Sequence, residues 1–244
     1  MPDNIFIGTS GWSYQHWKDS FYPHIAQKDW LGFYAEQFNS VEINGSFYRL
    51  QSPETYQHWY QATPADFRFS LKANRYLTHR KRLLEPEKSV ALEKEHAQHL
   101  QNKLAVVLWQ LPANFKKNIP RLKQFLLALA NWPEVRHTIE FRHTSWFDDE
   151  TIHLLKQHRI AICQSDAADW PLWNAVSGNV VYLRLHGHTQ TYVSSYAKTS
   201  LVHWAKKIID WQQQEKSIYV YFDNDAFGHA PQNAKALVHL LKTR

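Results

Sequence analysis

The sequence contains few residues of the types that cross-link a chain or interrupt regular structure. Its 244 residues include one cysteine, seven glycines and ten prolines. The single thiol, Cys163, excludes an intramolecular disulfide, and its apolar surroundings at residues 160–163 predict a buried core residue rather than a nucleophile. The low glycine and proline content excludes collagenous and low-complexity chains.

Long hydrophobic runs are also missing. The longest apolar stretches, residues 104–109 and 125–130, are far too short to span a bilayer. The first residues, Met1-Pro2-Asp3-Asn4, lack the basic side chains that precede the apolar segment of a signal peptide. We therefore expect no membrane association, no signal peptide and a cytoplasmic protein.

Aromatic residues and histidines are abundant instead. The chain has 11 Trp, 12 Tyr, 13 Phe and 15 His, and 44% of its residues are hydrophobic. This is enough apolar surface for one large core, so residues 1–244 are expected to form a single domain. Lys and Arg number 28 against 22 Asp and Glu, a formal net charge of +6. This net charge favours anionic partners, but it is smaller than the net charge typical of a dedicated nucleic-acid-binding protein.

Short runs of β-branched and aromatic residues recur along the chain and predict eight strands, at residues 5–8, 41–44, 67–72, 104–110, 138–142, 160–165, 180–186 and 218–223. Most intervening gaps have helical patterns, at residues 30–38, 53–61, 89–101, 120–130, 147–158 and 200–214, with a further helix from Pro231. Eight alternating strands and helices predict an α/β fold, a single (β/α)8 barrel of the TIM type. The connection between strands 6 and 7 is so short that its helix is expected to be irregular or missing.

Side-chain alternation divides most of these strands into an apolar and a polar face. The apolar face should pack against the surrounding helices, which turns the polar face into the barrel. Its charged members are four cations and three carboxylates: Arg68, Lys72, Arg142, Arg184, Glu42, Glu140 and Asp223. One interpretation is a self-neutralising network of ion pairs. The other, which we favour, is an anion site at the C-terminal mouth of the barrel, because several polar residues fall at strand ends.

The favoured hypothesis is an enzyme that acts on a phosphate- or carboxylate-bearing small molecule by acid–base chemistry. Arg142, Arg184 and Lys72 would hold the anion. Glu140 and Asp223 would serve as acid and base. The remaining predicted site residues are the carboxylate Glu42, counted with the catalytic set, and the substrate contacts Asn44, His186, Arg75 and Trp12.

Two alternatives remain open. A divalent metal is a candidate cofactor, bound by carboxylates and imidazoles chosen from Glu42, Glu140, His143, His186 and Asp223. Together with the basic segment 72–82, such a metal would indicate a phosphodiesterase or a nucleic-acid-binding protein. The other alternative is a non-enzymatic module whose aromatic mouth binds a ligand without turnover.

Four separated motifs resemble those of the YecE-like family, also called domain of unknown function 72. They are residues 7–14 (IGTSGWSY), 41–50 (VEINGSFYRL), 140–146 (EFRHTSW) and 221–230 (YFDNDAFGHA). The resemblance extends over nearly the whole chain, with one mild departure, Gly45-Ser46 before Phe47 in place of a small residue and Thr. It implies a TIM-type barrel and specifies no reaction.

Overall fold

Eight parallel strands alternate with helices in the computed structural model, which describes residues 2–243. The strands are β1 (Ile5–Thr9), β2 (Ser40–Ile43), β3 (Arg68–Lys72), β4 (Leu104–Gln110), β5 (Arg136–Glu140), β6 (Ala161–Asp166), β7 (Val180–Leu185) and β8 (Ser217–Phe222). From β2 to β8 each strand pairs with its sequence neighbour, β8 also pairs with β1, and β1 and β2 meet through one isolated bridge. The predicted TIM-type barrel is confirmed.

The helices surround this barrel. They are α1 (Trp30–Gln37), α2 (Gly45–Tyr48), α3 (Pro53–Gln61), α4 (Pro86–Ala97), α5 (Ile119–Leu129), α6 (Asp149–Gln157), α7 (Lys198–Gln213) and α8 (His229–Lys242). No helix among residues 2–243 combines the length and apolar character needed to cross a membrane. As the short connection predicted, residues 167–179 between β6 and β7 form no helix.

Local sequence signals explain where several helices begin. The side chains of Ser52, Asn118 and Asp148 each accept a backbone N–H three residues ahead, at the starts of α3, α5 and α6. Such caps satisfy donors that a helix leaves unpaired in its first turn. The four-residue helix α2 was not predicted, because it is too short to show a helical repeat.

The strand faces divide as the alternation predicts. Apolar side chains such as Ile43, Val107 and Val220 point outward and join the main core beneath the helices. A second, smaller cluster fills the barrel interior and contains Val106, Leu108, Cys163, Tyr182, Tyr219 and Tyr221. Cys163 is buried there, as expected. Polar and charged side chains occupy the interior beyond this cluster, toward the C-terminal ends of the strands.

The junction of β1 and β2 differs from the other junctions of the barrel. Its sheet pairing consists of one isolated bridge, between Ser10 and Glu42. Side chains replace most of the missing ladder: Asn39 bonds the backbone of Ile7 and Ile5 at 3.0 and 2.8 Å. The Tyr34 hydroxyl likewise accepts from Thr9 N at 2.8 Å and donates to Ser40 O at 3.2 Å.

The same junction requires a glycine at position 8. A Cβ atom there would lie 1.9 Å from Ser40 O and 2.7 Å from the Tyr34 hydroxyl. No side chain fits at these distances, so the close approach of β1 to the side-chain bridge depends on Gly8.

Candidate active site at the barrel mouth

Arg184, on β7, lies at the centre of the charged barrel interior and is fully buried. Its Nε donates to Glu42 Oε2 at 3.0 Å, and its Nη2 donates to Glu42 Oε1 at 2.7 Å and to Asp223 Oδ2 at 2.9 Å. Its Nη1 donates to Glu140 Oε2 at 3.0 Å and to His186 Nε2 at 3.1 Å. All three nitrogens are therefore engaged, and we call these five residues the Arg184 cluster. Arg184 has no spare nitrogen for the anion that it was predicted to hold.

The carboxylates of this cluster are bonded on several sides. Glu42 also accepts from Ser10 Oγ at 2.5 Å and from the Tyr182 hydroxyl at 2.6 Å. Burial alone would raise the pKa of Glu140, but Arg142 and Arg184 hold it well below its usual value. Both carboxylates thus have strong donors, as buried charges require.

Asp223 is ionised for the same reason. Burial opposes its charge, but Arg184 and His186 hold its pKa at about 2. A carboxylate with so low a pKa accepts a proton poorly and has none to donate near neutral pH. The predicted acid and base roles of Glu140 and Asp223 therefore remain predictions, and these low pKa values do not favour either residue as the acid.

His186 is a neutral imidazole in this arrangement. Its pKa is lowered by burial and by the adjacent Arg184 charge. Because a guanidinium only donates, His186 Nε2 must accept, which places the ring proton on Nδ1. Nδ1 lies 2.9 Å from Asp223 Oδ2, although not aligned for a well-formed hydrogen bond.

Arg142 lies two residues beyond β5 and has a different environment. Its Nε donates to Glu140 Oε1 at 2.6 Å, and its guanidinium carbon lies 3.7 Å from the Trp170 ring centroid. Trp170 is oriented in turn by its indole N–H, which donates to Ser165 Oγ at 2.9 Å. Within residues 2–243, the two terminal nitrogens of Arg142 have no hydrogen-bond partner. The side chain is thus held rigidly while two forked donors remain available.

Lys72, the last residue of β3, is the second cation with unused donors. Its side chain is buried, and Nζ lies 4.1 Å from the centre of the Phe47 ring. No carboxylate of residues 2–243 forms an ion pair with it. Burial and the nearby Arg184 charge lower the pKa of Lys72 to about 8. We call Lys72 and Arg142 the open rim.

Two further titratable groups lie near these sets, His79 close to the open rim and Asp225 close to Asp223. Burial, together with the charges of Lys72 and Arg142, lowers the pKa of His79 to about 4, so this imidazole is neutral at physiological pH. Burial and the Asp223 charge raise the pKa of Asp225 to about 6. Asp225 therefore exchanges a proton more readily near neutral pH than the carboxylates of the Arg184 cluster do.

Some predicted residues occupy other places. Arg68 shares the inward face but lies at the start of β3, where its Nη1 donates to the carbonyls of Ala65 and Phe67. It is separated from the mouth by the length of the strand, so of the four predicted inward cations only Lys72, Arg142 and Arg184 lie at the mouth. Strand alternation identifies the face on which a residue lies but does not give its depth.

The predicted metal ligands are not arranged as a metal centre. Residues 2–243 contain no group of three or more His, Cys, Asp or Glu side chains placed to hold an ion. The Arg184 guanidinium occupies the space between Glu42, Glu140 and Asp223. His143 instead bonds Ser145 in the turn after β5. The donor set therefore does not fit the metal hypothesis.

Asn44, Trp12 and Arg75 surround the mouth without joining the cluster. Asn44 and the buried Trp12 line a neighbouring cavity of about 320 Å³ together with Tyr14. The ring of Trp12 packs edge-on against Trp59, at 5.0 Å between centroids. Arg75 is exposed near His79, whose pKa its charge helps to lower. These three remain predicted substrate contacts.

Sequence reasoning missed three aromatic residues of the mouth. Trp170 and Tyr192 both pack edge-on against His186, at 5.0 and 5.5 Å between ring centroids. Burial raises the pKa of Tyr14, whose hydroxyl donates to Ser10 O at 2.6 Å. All three lie outside the strands, where no periodic pattern indicates which way a side chain points.

Two larger cavities, of about 470 and 550 Å³, open at the opposite end of the barrel. Both contain Phe6 and Arg68, and neither contains a member of the Arg184 cluster or of the open rim. The Arg184 cluster and Lys72, which are buried and ionisable, lie at the C-terminal end, where TIM-barrel enzymes have their active sites. The candidate site is therefore the mouth.

The fold and the site define a single TIM-type barrel with a charged interior and a polar C-terminal mouth. The family profile described as "Protein of unknown function DUF72" matches residues 6–244, and the chain belongs to this family. No specific activity is established for the family, so membership supports the fold and leaves the reaction open.

Known relatives match over almost their full lengths. The UPF0759 protein YunF of Bacillus subtilis is 29% identical, covering 97% of this chain and 94% of the relative. The UPF0759 protein YecE of Escherichia coli is 24% identical, covering 97% of this chain and 91% of the relative. The crystal structure of a DUF72 family protein from Thermotoga maritima superposes with a TM-score of 0.87, at 26% identity, over 98% of this chain and 99% of that one.

Proposed function

We propose that the barrel mouth binds a small molecule carrying a phosphate or carboxylate group, and that the protein is an enzyme acting on it by proton transfer. The observation that carries this proposal is the pair of unpartnered terminal nitrogens on Arg142 within residues 2–243. Glu140 and Trp170 fix the orientation of the guanidinium. A fixed guanidinium fork matches the two oxygens of a carboxylate or phosphate.

The ion pairs around Arg142 indicate which donors an anionic ligand could use. The cations Lys72, Arg142 and Arg184 offset the carboxylates Glu42, Glu140 and Asp223 in number. Arg184 engages all three carboxylates, however, whereas Lys72 has no ion-pair partner within residues 2–243. The formal charges therefore cancel, and the open rim offers an anion unused hydrogen-bond donors rather than excess positive charge.

Asp225 is the group best suited to proton transfer. Its pKa of about 6 lets it exist in both protonation states near neutral pH, and burial with the neighbouring Asp223 charge is the cause. A single carboxyl group that acts first as a base and then as an acid would serve a hydrolysis or a lyase reaction. These are the two reaction classes that we expect.

Calorimetric titration with inorganic phosphate, pyrophosphate and malonate at low ionic strength tests the binding step. We expect Arg142→Gln to weaken the tightest of these anions by about tenfold or more, since a charge-assisted hydrogen bond contributes about 1.5–3 kcal/mol. Arg136→Gln is the matched control, because Arg136 begins the same strand at the opposite end and is exposed. Equal affinity in wild type and Arg142→Gln, or equal loss in both variants, would contradict the proposal.

A further inference from the structure

Two lysines, Lys72 and Lys103, are buried in the described part of the chain, at 6% and 4% exposure. Lys103 Nζ donates to Tyr60 O and Thr63 O at 2.6 Å each and to Thr63 Oγ1 at 3.1 Å. Its three N–H groups are therefore satisfied, as expected of a structural lysine.

Lys72 has none of these partners. Its Nζ faces the Phe47 ring and forms no hydrogen bond or ion pair with residues 2–243. The residue is 6% exposed, yet Nζ is not among the fully enclosed polar atoms that lack a partner, so its donors open toward the mouth. A largely desolvated ammonium without a protein acceptor is unfavourable, and an apolar side chain would avoid that cost. The unbonded amine at a strand end facing the mouth thus requires an explanation other than stability.

The neighbours of Lys72 favour the uncharged amine. Burial contributes most, and the Arg184 charge adds to it, so that the pKa of Lys72 is about 8. Roughly a tenth of the groups are then unprotonated at neutral pH, far more than for an exposed lysine. A desolvated amine next to another cation is a nucleophile toward carbonyl carbon.

We propose that Lys72 is a catalytic residue that forms a Schiff base with a carbonyl compound bearing an anionic group. The inference rests on the proposed function, because Arg142 would hold the anionic group while Lys72 meets the carbonyl. Lys72 Nζ lies 4.1 Å from the centre of the Phe47 ring, and His79 packs against the same ring at 5.0 Å between ring centroids. The charge of Arg142 also acts on His79, which is consistent with both cations facing one part of the mouth. The substrate class is therefore a 2-oxo acid or a phosphorylated aldehyde or ketone.

The covalent step balances without an oxidant or a second substrate. The unprotonated Nζ adds to the carbonyl carbon and gives a carbinolamine. The C–O bond of the carbinolamine then breaks, and the hydroxyl group leaves as water with the proton that the nitrogen gives up. A C=N bond between Lys72 and the substrate carbon remains. Protonation of the imine nitrogen makes it an electron sink for cleavage or proton removal at the adjacent carbon.

Reductive trapping on the whole protein tests this assignment. The protein is incubated with pyruvate or glyceraldehyde 3-phosphate and sodium cyanoborohydride, and the modified lysines are located by peptide mass mapping. We expect one adduct per chain at Lys72, formed at least about tenfold faster than at the exposed Lys88, with a rate that rises as the pH approaches about 8. Inorganic phosphate should slow the labelling.

Two variants complete the experiment. Lys72→Met should lose the fast adduct, whereas Lys103→Met, the other buried lysine, should retain it. If either variant fails to fold, the distribution of label on the wild-type chain still decides the result. Lys72→Arg retains the charge and cannot form an imine, so it should also lose the adduct.

The outcomes separate the two proposals. Phosphate binding without preferential labelling at Lys72 would overturn the Schiff base and leave the anion site intact. The absence of phosphate binding together with the absence of preferential labelling at Lys72 would overturn both proposals. Equal labelling by uncharged acetone would overturn the anionic substrate class.

Discussion

The Arg184 cluster and the open rim are neighbouring sets of charges in one barrel, yet they differ in how their donors are used. All nitrogens of Arg184 are bonded to buried partners, whereas Arg142 uses only Nε and Lys72 uses none among residues 2–243. Burial alone does not separate the two sets, because Lys72 is buried like the members of the cluster. Unused hydrogen-bonding capacity is therefore what distinguishes a group that stabilises the fold from one that is available to a ligand.

The largest effect should come from removing the centre of the cluster. Arg184→Met leaves three buried carboxylates without their shared counter-ion, and we expect it to reduce the free energy of unfolding by about 3–5 kcal/mol. Urea unfolding measures this loss. Because the uncompensated carboxylates would have raised pKa values, the loss should shrink as the pH falls and they become protonated.

Arg136→Met is the control for that measurement, since Arg136 is exposed and its Nη1 bonds only the Tyr219 hydroxyl. It should change stability by about 0.5 kcal/mol or less. A loss below about 1 kcal/mol in Arg184→Met would remove the distinction between the cluster and the rim.

Substitution of Lys72, in the open rim, should change the free energy of unfolding in the opposite direction. Lys72→Met removes a largely desolvated ammonium that has no ion-pair partner within residues 2–243, and we expect it to increase the free energy of unfolding at neutral pH by about 1–3 kcal/mol. The folded-state pKa of about 8 lies below the unfolded value, so the unfolded wild type binds more protons above pH 8. Wild-type stability should therefore rise with pH from about 8 toward about 10, and Lys72→Met should lack that rise.

Lys103→Met makes the comparison sharper. Removing Lys103 leaves the carbonyls of Tyr60 and Thr63 without their donor, so this variant should be destabilised. Destabilisation of both lysine variants at neutral pH would show that Lys72 stabilises the fold, contrary to our expectation.

The smallest effect concerns a hydrogen bond at the edge of the cluster. Tyr182→Phe removes the hydroxyl that donates to Glu42 Oε2 at 2.6 Å, and a loss of about 1–2 kcal/mol is expected from a buried bond to a charged group. Tyr219→Phe is the matched control, because its hydroxyl bonds an exposed arginine. If thermal unfolding shows equal decreases in stability for Tyr182→Phe and Tyr219→Phe, the Arg184 cluster makes no special contribution to stability.

Alternation along the strands predicted much of this interior correctly. Glu42, Glu140 and Arg184 lie on the inward face because a side-chain period of two follows directly from strand geometry. Alternation does not predict that carboxylates enclose Arg184 while the terminal nitrogens of Arg142 have no hydrogen-bond partner within residues 2–243. That difference depends on the depth of each residue in the barrel and on loop residues such as Trp170, which no repeat places.

Arg68 also shows that alternation gives the face of a residue but not its depth in the barrel. It has the right parity and the right charge, yet it lies at the beginning of its strand and bonds nearby carbonyls. Strand direction would have placed it away from the mouth, since a TIM barrel positions its site at the C-terminal ends of its strands.

The side-chain closure between β1 and β2 has a consequence for how the barrel can change. Most of its strand junctions are held by backbone ladders that a substitution cannot remove. This one depends on Asn39, Tyr34 and the Ser10–Glu42 bridge, so mutation can reach it directly. Glu42 meets Ser10 through the backbone bridge and through its carboxylate, and it also belongs to the Arg184 cluster. The residue that closes the cylinder is therefore also a residue that balances the charge inside it, so a substitution of Glu42 would disturb both at once.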